Sequence, residues 1–106
     1  MKIIYNPLVK EHLFNIYDTT EEKWGENQAE DYVSGLYESI ELAAIKQKVW
    51  RKYLYYNEDV VRPVYYVSYK KHFIFFEVAE KENVMIVLAI FHSAMDIPER
   101  LKDTRE

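Results

Sequence analysis

Residues 60–91 read VVRPVYYVSYKKHFIFFEVAEKENVMIVLAIF, and this stretch decides the fold. It contains three runs rich in Val, Ile, Tyr and Phe, the side chains that pack best on a pleated sheet. Lys70-Lys71 and Glu80–Asn83 separate the runs and are short and polar enough to form hairpin turns. The pattern therefore predicts three strands, at Val60–Tyr69, Phe73–Ala79 and Val84–Phe91.

Alternation along these strands predicts which side chains share a face of the sheet. In the first strand, the two faces carry Arg62, Val64, Tyr66, Ser68 and Lys70 on one side and Tyr65, Val67, Tyr69 and Lys71 on the other. The third strand is apolar on both faces, which is typical of a central strand covered twice. Its faces carry Ile86, Leu88 and Ile90 on one side and Met85, Val87 and Phe91 on the other.

Two helical stripes precede the strands. Asn6-Pro7 is a helix start, because an Asn side chain accepts a backbone N–H and Pro has none to lose. A stripe at helical spacing then runs as far as Thr20, which predicts a first helix from about residue 7 to residue 22. After an interruption at Trp24-Gly25, a second stripe begins and runs from Ala29 to Ala44. We expect an antiparallel helical hairpin, a strand at Lys2–Tyr5 before it, and a helical turn from Pro98 to Leu101 at the other end of the chain.

The order β-α-α-β-β-β predicts one α+β domain over residues 1–106, with the helical hairpin packed on one face of a twisted, mainly antiparallel sheet. The chain has no Cys, which excludes a disulfide framework and a thiolate metal site. No stretch approaches about 18 uninterrupted apolar residues. We therefore expect a cytoplasmic protein that does not act in a membrane.

The charge is unevenly distributed along the chain. Residues 6–45 carry nine acids and two bases, whereas residues 46–73 carry seven bases and two acids. Two interpretations remain open for the basic segment: a surface that meets phosphates or an acidic partner, or an ordinary solvated surface. The net charge of −4 argues against direct, specific DNA binding by this chain alone.

No phosphate loop, nucleophile elbow, paired zinc motif or EF-hand is present, and we expect no cofactor. His92 and Asp96 have the spacing of a metal pair, but no third ligand is identifiable, so no metal site is predicted. A cation with a proton-transfer group is the pairing that metal-free phosphodiester cleavage needs. Basic residues that the strands place within reach of one another are Arg62, Lys70, Lys71, His72 and His92.

An aromatic stretch, VWRKYLYYN at residues 49–57, lies between the helices and the strands. Its tyrosines either line a surface for a partner protein or close the open end of the core, and the sequence leaves both interpretations open.

Three motifs in this order resemble the ParE/RelE superfamily of bacterial type II toxins. Trp24–Tyr32 is similar to the W-G-x-x-Q-A-x-x-Y opening of the family's second helix. Val61–Pro63 followed by Lys71–Phe76 is similar to the family's arginine strand and H-x-I-x-Y hairpin arm, and Ile90–Asp96 to its closing I-L-H-x-x-M-D. The likeness covers nearly the whole chain, and the first and third motifs are closer to ParE than to RelE.

The resemblance implies a small toxin encoded beside an antitoxin that neutralises it and, for ParE, inhibition of DNA gyrase by binding. RelE relatives instead cut mRNA on the ribosome, so the alternative is a ribosome-dependent endoribonuclease. A third possibility is a non-toxic interaction module on the same scaffold. Catalysis is expected only under the RelE-like interpretation, with Arg62, His72 and His92 as its residues.

We expect two binding surfaces. Residues expected to contact the target are Arg62, Lys70, Lys71, His92 and Asp96. Residues expected to contact the antitoxin are Arg51, Tyr53, Tyr55, Tyr56 and Tyr66. The chain departs from the ParE pattern at Ala89, where many members have Arg, and at Ser93, where many have Gly.

Overall fold

A computed structural model describes residues 1–53 and 63–93 of the chain. Strand β1 (Lys2–Tyr5) leads into helices α1 (Pro7–Trp24) and α2 (Glu26–Ile45), which Gly25 alone separates. A 3₁₀ helix (Gln47–Val49) follows α2. The remaining strands are β2 (Arg51–Lys52), β3 (Tyr65–Tyr69), β4 (His72–Ala79) and β5 (Val84–His92).

The five strands form one mixed sheet in the order β1-β5-β4-β3-β2. β1 runs parallel to β5, and the other three pairs are antiparallel. This confirms the α+β class, the helical hairpin and the meander of the last three strands. The sequence did not predict β2, because two residues are too few to leave an alternating pattern.

Four predicted boundaries differ from the structure. Two differ by one residue, because β4 begins at His72 and β5 ends at His92. β3 begins at Tyr65, after Pro63, which has no N–H to give to a ladder. The first helix continues to Trp24, because nothing breaks the helix before Gly25, whose φ of 90° ends it. The predicted strand residues 60–62 and the predicted helical turn at 98–101 lie outside the described residues.

The helix start at Asn6-Pro7 is confirmed. The Leu8 N–H donates to Asn6 Oδ1 at 3.0 Å, and Pro7 is the first helical residue. This cap satisfies one of the N–H groups that the first turn of any helix leaves without a partner.

The core lies between the helical hairpin and one face of the sheet. Its buried side chains are Val9, Leu13, Leu36, Ile40, Ala43, Val67, Ile74, Phe76, Met85, Val87 and Ile90. In the part of the chain that the structure describes, a second cluster includes no residue of α1 or α2 and lies on the opposite face of the sheet. Its buried members are Val64, Phe75, Leu88, Ala89 and Phe91. Both faces of β5 are therefore buried, as its sequence predicts.

A β-bulge changes the faces of β5. Phe75 pairs with Ala89 and Phe76 with Val87, so Leu88 is an extra residue with no partner on β4. Beyond the bulge the alternation is reversed. The predicted faces are therefore wrong for two residues: Ile90 joins Met85 and Val87 under the helices, and Phe91 lies on the opposite face.

The predicted face of Lys70 is also wrong. Tyr65, Val67 and Tyr69 face the helices and Tyr66 the opposite side, as alternation requires. Lys70, however, has a φ of 52°, which ends the strand geometry. Its Nζ lies on the helix side, 5.5 Å from the ring centroid of Tyr32.

The edge of β5 is completed by α1. β1 pairs only with the first half of β5, and the Asn6 N–H then donates to the Val87 carbonyl at 2.9 Å. Further along, the Ile90 N–H donates to Nδ1 of His12 at 3.2 Å. Burial lowers the pKa of His12, with Glu11 opposing the shift, so the ring stays neutral and keeps its acceptor nitrogen.

Gly35 allows a close approach between α2 and β3. A Cβ at this position would overlap the phenol ring of Tyr69. Tyr69 in turn packs edge-on against Tyr32, with ring centroids 5.2 Å apart. A hydrogen atom in place of a side chain thus lets a β3 tyrosine lie directly on the backbone of α2.

We expect Gly35→Ala to lower the free energy of unfolding by about 1 kcal/mol. The new methyl group displaces Tyr69 from Tyr32 and Lys70, contacts worth about 0.5–1.5 kcal/mol each, and this outweighs the gain of about 1 kcal/mol from Ala in a helix. Urea unfolding measures the change. In a Tyr69→Ala background the same substitution should stabilise the protein, and Ser34→Ala at the exposed neighbouring position should be neutral or stabilising. A loss of the same size in both backgrounds would contradict the proposed overlap.

Acid should unfold the protein partly through His12. Its folded pKa is below 6.5, so as the pH falls below about 6.5 the unfolded chain takes up the proton first and stability is lost. His12→Gln keeps an acceptor for the Ile90 N–H but does not titrate. We expect its unfolding free energy to fall less than that of the wild type between pH 7.5 and 5.5. Equal slopes for the two proteins would count against this role of His12.

Candidate functional site

Basic side chains meet where β3, β4 and β5 reach the same end of the sheet. Lys70 and Lys71 form the tight turn between β3 and β4. His72 opens β4 and pairs directly with His92 at the end of β5, and their ring centroids are 5.2 Å apart. Together with Tyr32 and Tyr69, these four residues are called the hairpin-end cluster below.

Tyr32 of α2 holds this cluster in place. Its hydroxyl and Nδ1 of His72 form a hydrogen bond of 2.7 Å. The backbone N–H of Lys71 opposes the rise in the pKa of Tyr32, because it favours the ionised phenol. Lys70 Nζ lies 5.5 Å from the ring centroid of Tyr32 and 5.4 Å from that of Tyr69, within cation–π range. Helix α2 thus fixes the conformation of the Lys70-Lys71 turn, which contains no Gly.

Proton transfer is not what this geometry favours. Burial, reinforced by the charge of His92, lowers the pKa of His72 to about 4. A general base works best with a pKa near the operating pH, so at neutral pH His72 is a weak one. Burial also raises the pKa of Tyr32, which keeps its hydroxyl protonated. The cluster presents the fixed positive charges of Lys70 and Lys71 beside the neutral ring of His72.

The residues expected to contact an antitoxin lie elsewhere. Arg51 is exposed on β2 and pairs with Tyr66 on β3. Tyr53 packs on Tyr66 and Phe75, with centroids 6.2 and 5.2 Å away. These two tyrosines are half-buried against the second cluster, so they help to close the core there. Tyr66 and Lys70 are four residues apart, about 13 Å along a strand.

Four predicted site residues, Tyr55, Tyr56, Arg62 and Asp96, lie outside the described residues. Of the rest, the structure brings together Lys70, Lys71, His72 and His92, and it separates them from Arg51, Tyr53 and Tyr66.

Sequence reasoning missed Tyr32 and Tyr69 as members of the cluster. Forty positions separate Tyr32 from His72, and no local pattern reports such a contact. One signal was present: Tyr32 is the final Tyr of the W-G-x-x-Q-A-x-x-Y motif.

A cleft of about 170 Å³ opens beside β2, and we call it the edge cleft. Its lining residues are Ser39, Leu42, Val49, Arg51, Val67 and Ser68. This volume is well below the 300–1,000 Å³ typical of small-molecule pockets but suffices for a single side chain. Apolar side chains stand exposed in and around it, with 45% of Leu42, 79% of Ile45 and 36% of Val49 accessible to solvent.

The edge cleft adjoins an open part of the sheet. β2 pairs only with Tyr65 and Tyr66, so within the described residues no strand pairs with the outer edge of β3 from Val67 to Tyr69. The chain segment that contributes Val49 and Arg51 to the cleft is basic. Its exposed cations are Lys46, Lys48, Arg51 and Lys52. An extended segment could extend the ladder here and place an apolar side chain in the cleft.

The two departures from the ParE pattern occupy different environments. Ala89 is completely buried in the second cluster, so position 89 contributes no surface in this chain. Ser93 follows β5, and its N–H donates to the carbonyl of Lys71 at 2.9 Å.

Within residues 1–53 and 63–93 no group of three or more His, Asp or Glu side chains that could hold a metal ion is found. Of the two helices described, neither is long and apolar enough to cross a membrane.

Comparison with known proteins agrees with this architecture. The family model for the ParE toxin of the type II toxin–antitoxin system parDE matches residues 3–97. Toxin ParE1 of Mycobacterium tuberculosis strain CDC 1551 / Oshkosh is 31% identical over 101 residues, which are 94% of this chain and 97% of that protein. Toxin ParE1 of strain ATCC 25618 / H37Rv matches to the same extent. The chain therefore belongs to the ParE toxin family of type II toxin–antitoxin systems.

Proposed function

We propose that this toxin inhibits DNA gyrase by binding it through the hairpin-end cluster, without making or breaking a covalent bond. Membership of the ParE family supports a toxin that a cognate antitoxin neutralises. The observation that carries the mode of action is the cluster itself. Lys70 and Lys71 stand on a turn fixed by Tyr32, and His72, with its pKa of about 4, is suited to contact more than to proton transfer.

Pre-ordering of the cluster favours binding. A lysine-rich turn that had to become ordered on contact would lose part of its binding energy to conformational entropy. Here the hydrogen bond to His72 and the rings beneath Lys70 hold the turn before any partner arrives. The target surface is therefore expected to be acidic and complementary to a rigid pair of positive charges.

Induced expression tests this target. We expect DNA damage and filamentation, with translation intact at first, and relief when the antitoxin is co-expressed. Purified toxin should inhibit the supercoiling activity of gyrase. Full supercoiling at a large excess of folded toxin would overturn the proposal.

Neutralising the turn should weaken the toxin. We expect Lys70→Gln combined with Lys71→Gln to raise the toxin concentration needed for half-inhibition of gyrase at least 10-fold, because two charge-assisted contacts are lost. The matched control is Lys10→Gln with Lys81→Gln, which removes two exposed charges from other parts of the surface. Thermal melting confirms that both variants are folded. Equal loss in the two variants would point to net charge, not to the cluster.

A ribosome-dependent endoribonuclease is the second candidate. His72 and His92 lie side by side next to Lys70 and Lys71, which are the residue types that metal-free phosphodiester cleavage uses. It predicts early loss of protein synthesis and mRNA cuts at fixed codon positions, abolished by Arg62→Ala or His92→Gln. The same induction experiment, with replication and translation followed separately, distinguishes the two functions. Harmless expression of folded protein would instead favour the non-toxic interaction module.

The antitoxin is proposed to bind at the edge cleft, with an extended segment along the open edge of β3. Leu42 and Val49 offer apolar contacts, and Arg51 adds positive charge. A tail with an apolar anchor and flanking acids fits this combination. Such a segment would run up to the hairpin-end cluster, because Tyr69 belongs both to the open edge and to the cluster. It would therefore neutralise the toxin by blocking access to Lys70 and Lys71.

Two substitutions should separate the apolar and ionic parts of this binding. Leu42→Ala and Arg51→Glu are each expected to weaken binding of the protein encoded by the adjacent short reading frame about 10-fold or more, which corresponds to at least about 1.4 kcal/mol. The loss from Arg51→Glu should shrink as salt rises, whereas the loss from Leu42→Ala should persist. Phe14→Ala, at an exposed site on α1, is the control. Isothermal titration measures all three, and a larger effect of the control would contradict this placement.

A further inference from the structure

The two histidines of the hairpin-end cluster also have the geometry of a metal site. We propose that His72 and His92 together bind a borderline divalent transition-metal ion, Zn²⁺, Ni²⁺ or Cu²⁺, across strands β4 and β5. This inference is independent of the gyrase proposal, since it concerns a ligand of the toxin and not its target.

The backbone brings the two rings as close as a sheet allows. His72 and His92 are directly opposite each other in an antiparallel pair. The bond from the Ser93 N–H to the Lys71 carbonyl, 2.9 Å long, flanks this pair, so the two residues form a non-hydrogen-bonded pair. Such pairs have the shortest distance between strands, with Cα atoms about 4.5 Å apart and side chains facing each other.

The spacing of the rings matches joint coordination. An imidazole nitrogen lies about 2.0–2.1 Å from Zn²⁺, which puts the ring centroid roughly 3.2 Å from the ion. Two rings at a tetrahedral angle then have centroids about 5 Å apart. The observed distance is 5.2 Å. Tyr32 holds the His72 ring, so rotation of the His92 ring about its own side-chain bonds, with no backbone movement, would direct both nitrogens to one ion.

Tyr32 supplies the outer partner that metal-binding histidines usually have. It occupies Nδ1 of His72, which leaves Nε2 as the coordinating nitrogen. With the metal on Nε2, the neutral ring carries its proton on Nδ1 and donates it to the phenol oxygen. The ring gains no charge and loses no proton, because only the tautomer is fixed.

The surroundings limit the affinity. The nearby positive charges of Lys70 and Lys71 oppose a dication, although Lys70 is directed over the rings of Tyr32 and Tyr69. The part of the chain in view contributes no third His, Asp or Glu to the group. Water would fill the remaining positions, so binding should be weaker than at a structural zinc site with four protein ligands. Imidazole suits Cu²⁺ and Ni²⁺ as well as Zn²⁺, with Cu²⁺ bound most tightly.

A bound ion would link the start of β4 to the end of β5. The Lys70-Lys71 turn leads directly into His72, so the ion would further restrict the turn and add positive charge to it. The chain has three histidines, and His12 lies on α1 with its Nδ1 engaged by the Ile90 N–H. His12 therefore serves as an internal control.

Isothermal titration of the full chain with ZnCl₂ and NiCl₂ at pH 7.5 tests the site. We expect one ion per chain, at least 10-fold weaker binding in both His72→Gln and His92→Gln, and no change in His12→Gln. In wild-type protein, Ni²⁺ should broaden the ring proton signals of His72 and His92 in NMR spectra and leave those of His12 sharp. This second readout needs no variant, so it holds even where a substitution disturbs folding.

The proposal fails if the wild type shows no saturable binding up to 1 mM metal, taken here as roughly the limit of specific affinity. It also fails if His12→Gln removes the binding, or if Ni²⁺ broadens the signals of His12 first.

Discussion

Strand β5 needs hydrogen-bond partners for its backbone along both edges while both of its faces are buried. The rest of the molecule is arranged around this requirement. On one side it pairs with β4 along its length. On the other, β1 covers only the first half, and α1 completes the edge through Asn6 and His12. A buried N–H without a partner costs about as much as a lost hydrogen bond. The position of the helical hairpin is therefore set by strand pairing as well as by apolar contact.

The position of the helical hairpin also determines how the hairpin-end cluster is built. With α1 fixed against β5, α2 lies over β3, where Gly35 admits Tyr69. Tyr32 then reaches the turn between β3 and β4 and binds His72. The hairpin-end cluster is thus a product of helix placement. Lys70 and Lys71 of the turn supply its charges, and Tyr32 of α2 fixes the conformation of that turn.

Local patterns predicted much of this fold. The cap at Asn6, both helices and the three-stranded meander follow from interactions within a few residues, which periodicity records. The bulge at Leu88 could not be predicted, because apolar residues on both faces of β5 hide the change of phase. The left-handed conformation of Lys70 was missed because such a turn usually contains Gly, and this one has none. Contacts such as Tyr32 with His72 depend on the folded chain as a whole and leave no local trace.

The shortness of β2 has a consequence for how the toxin behaves before it meets any partner. An exposed strand edge is a template on which identical chains can pair and aggregate. Among the described residues, Arg51 and Lys52 form the outermost strand on that side. Two copies meeting edge to edge would bring four like charges together, whereas an oppositely charged strand would meet no such barrier. Arg51 and Lys52 thus make the open edge selective, because they disfavour pairing with a second copy of the chain and permit pairing with an acidic strand.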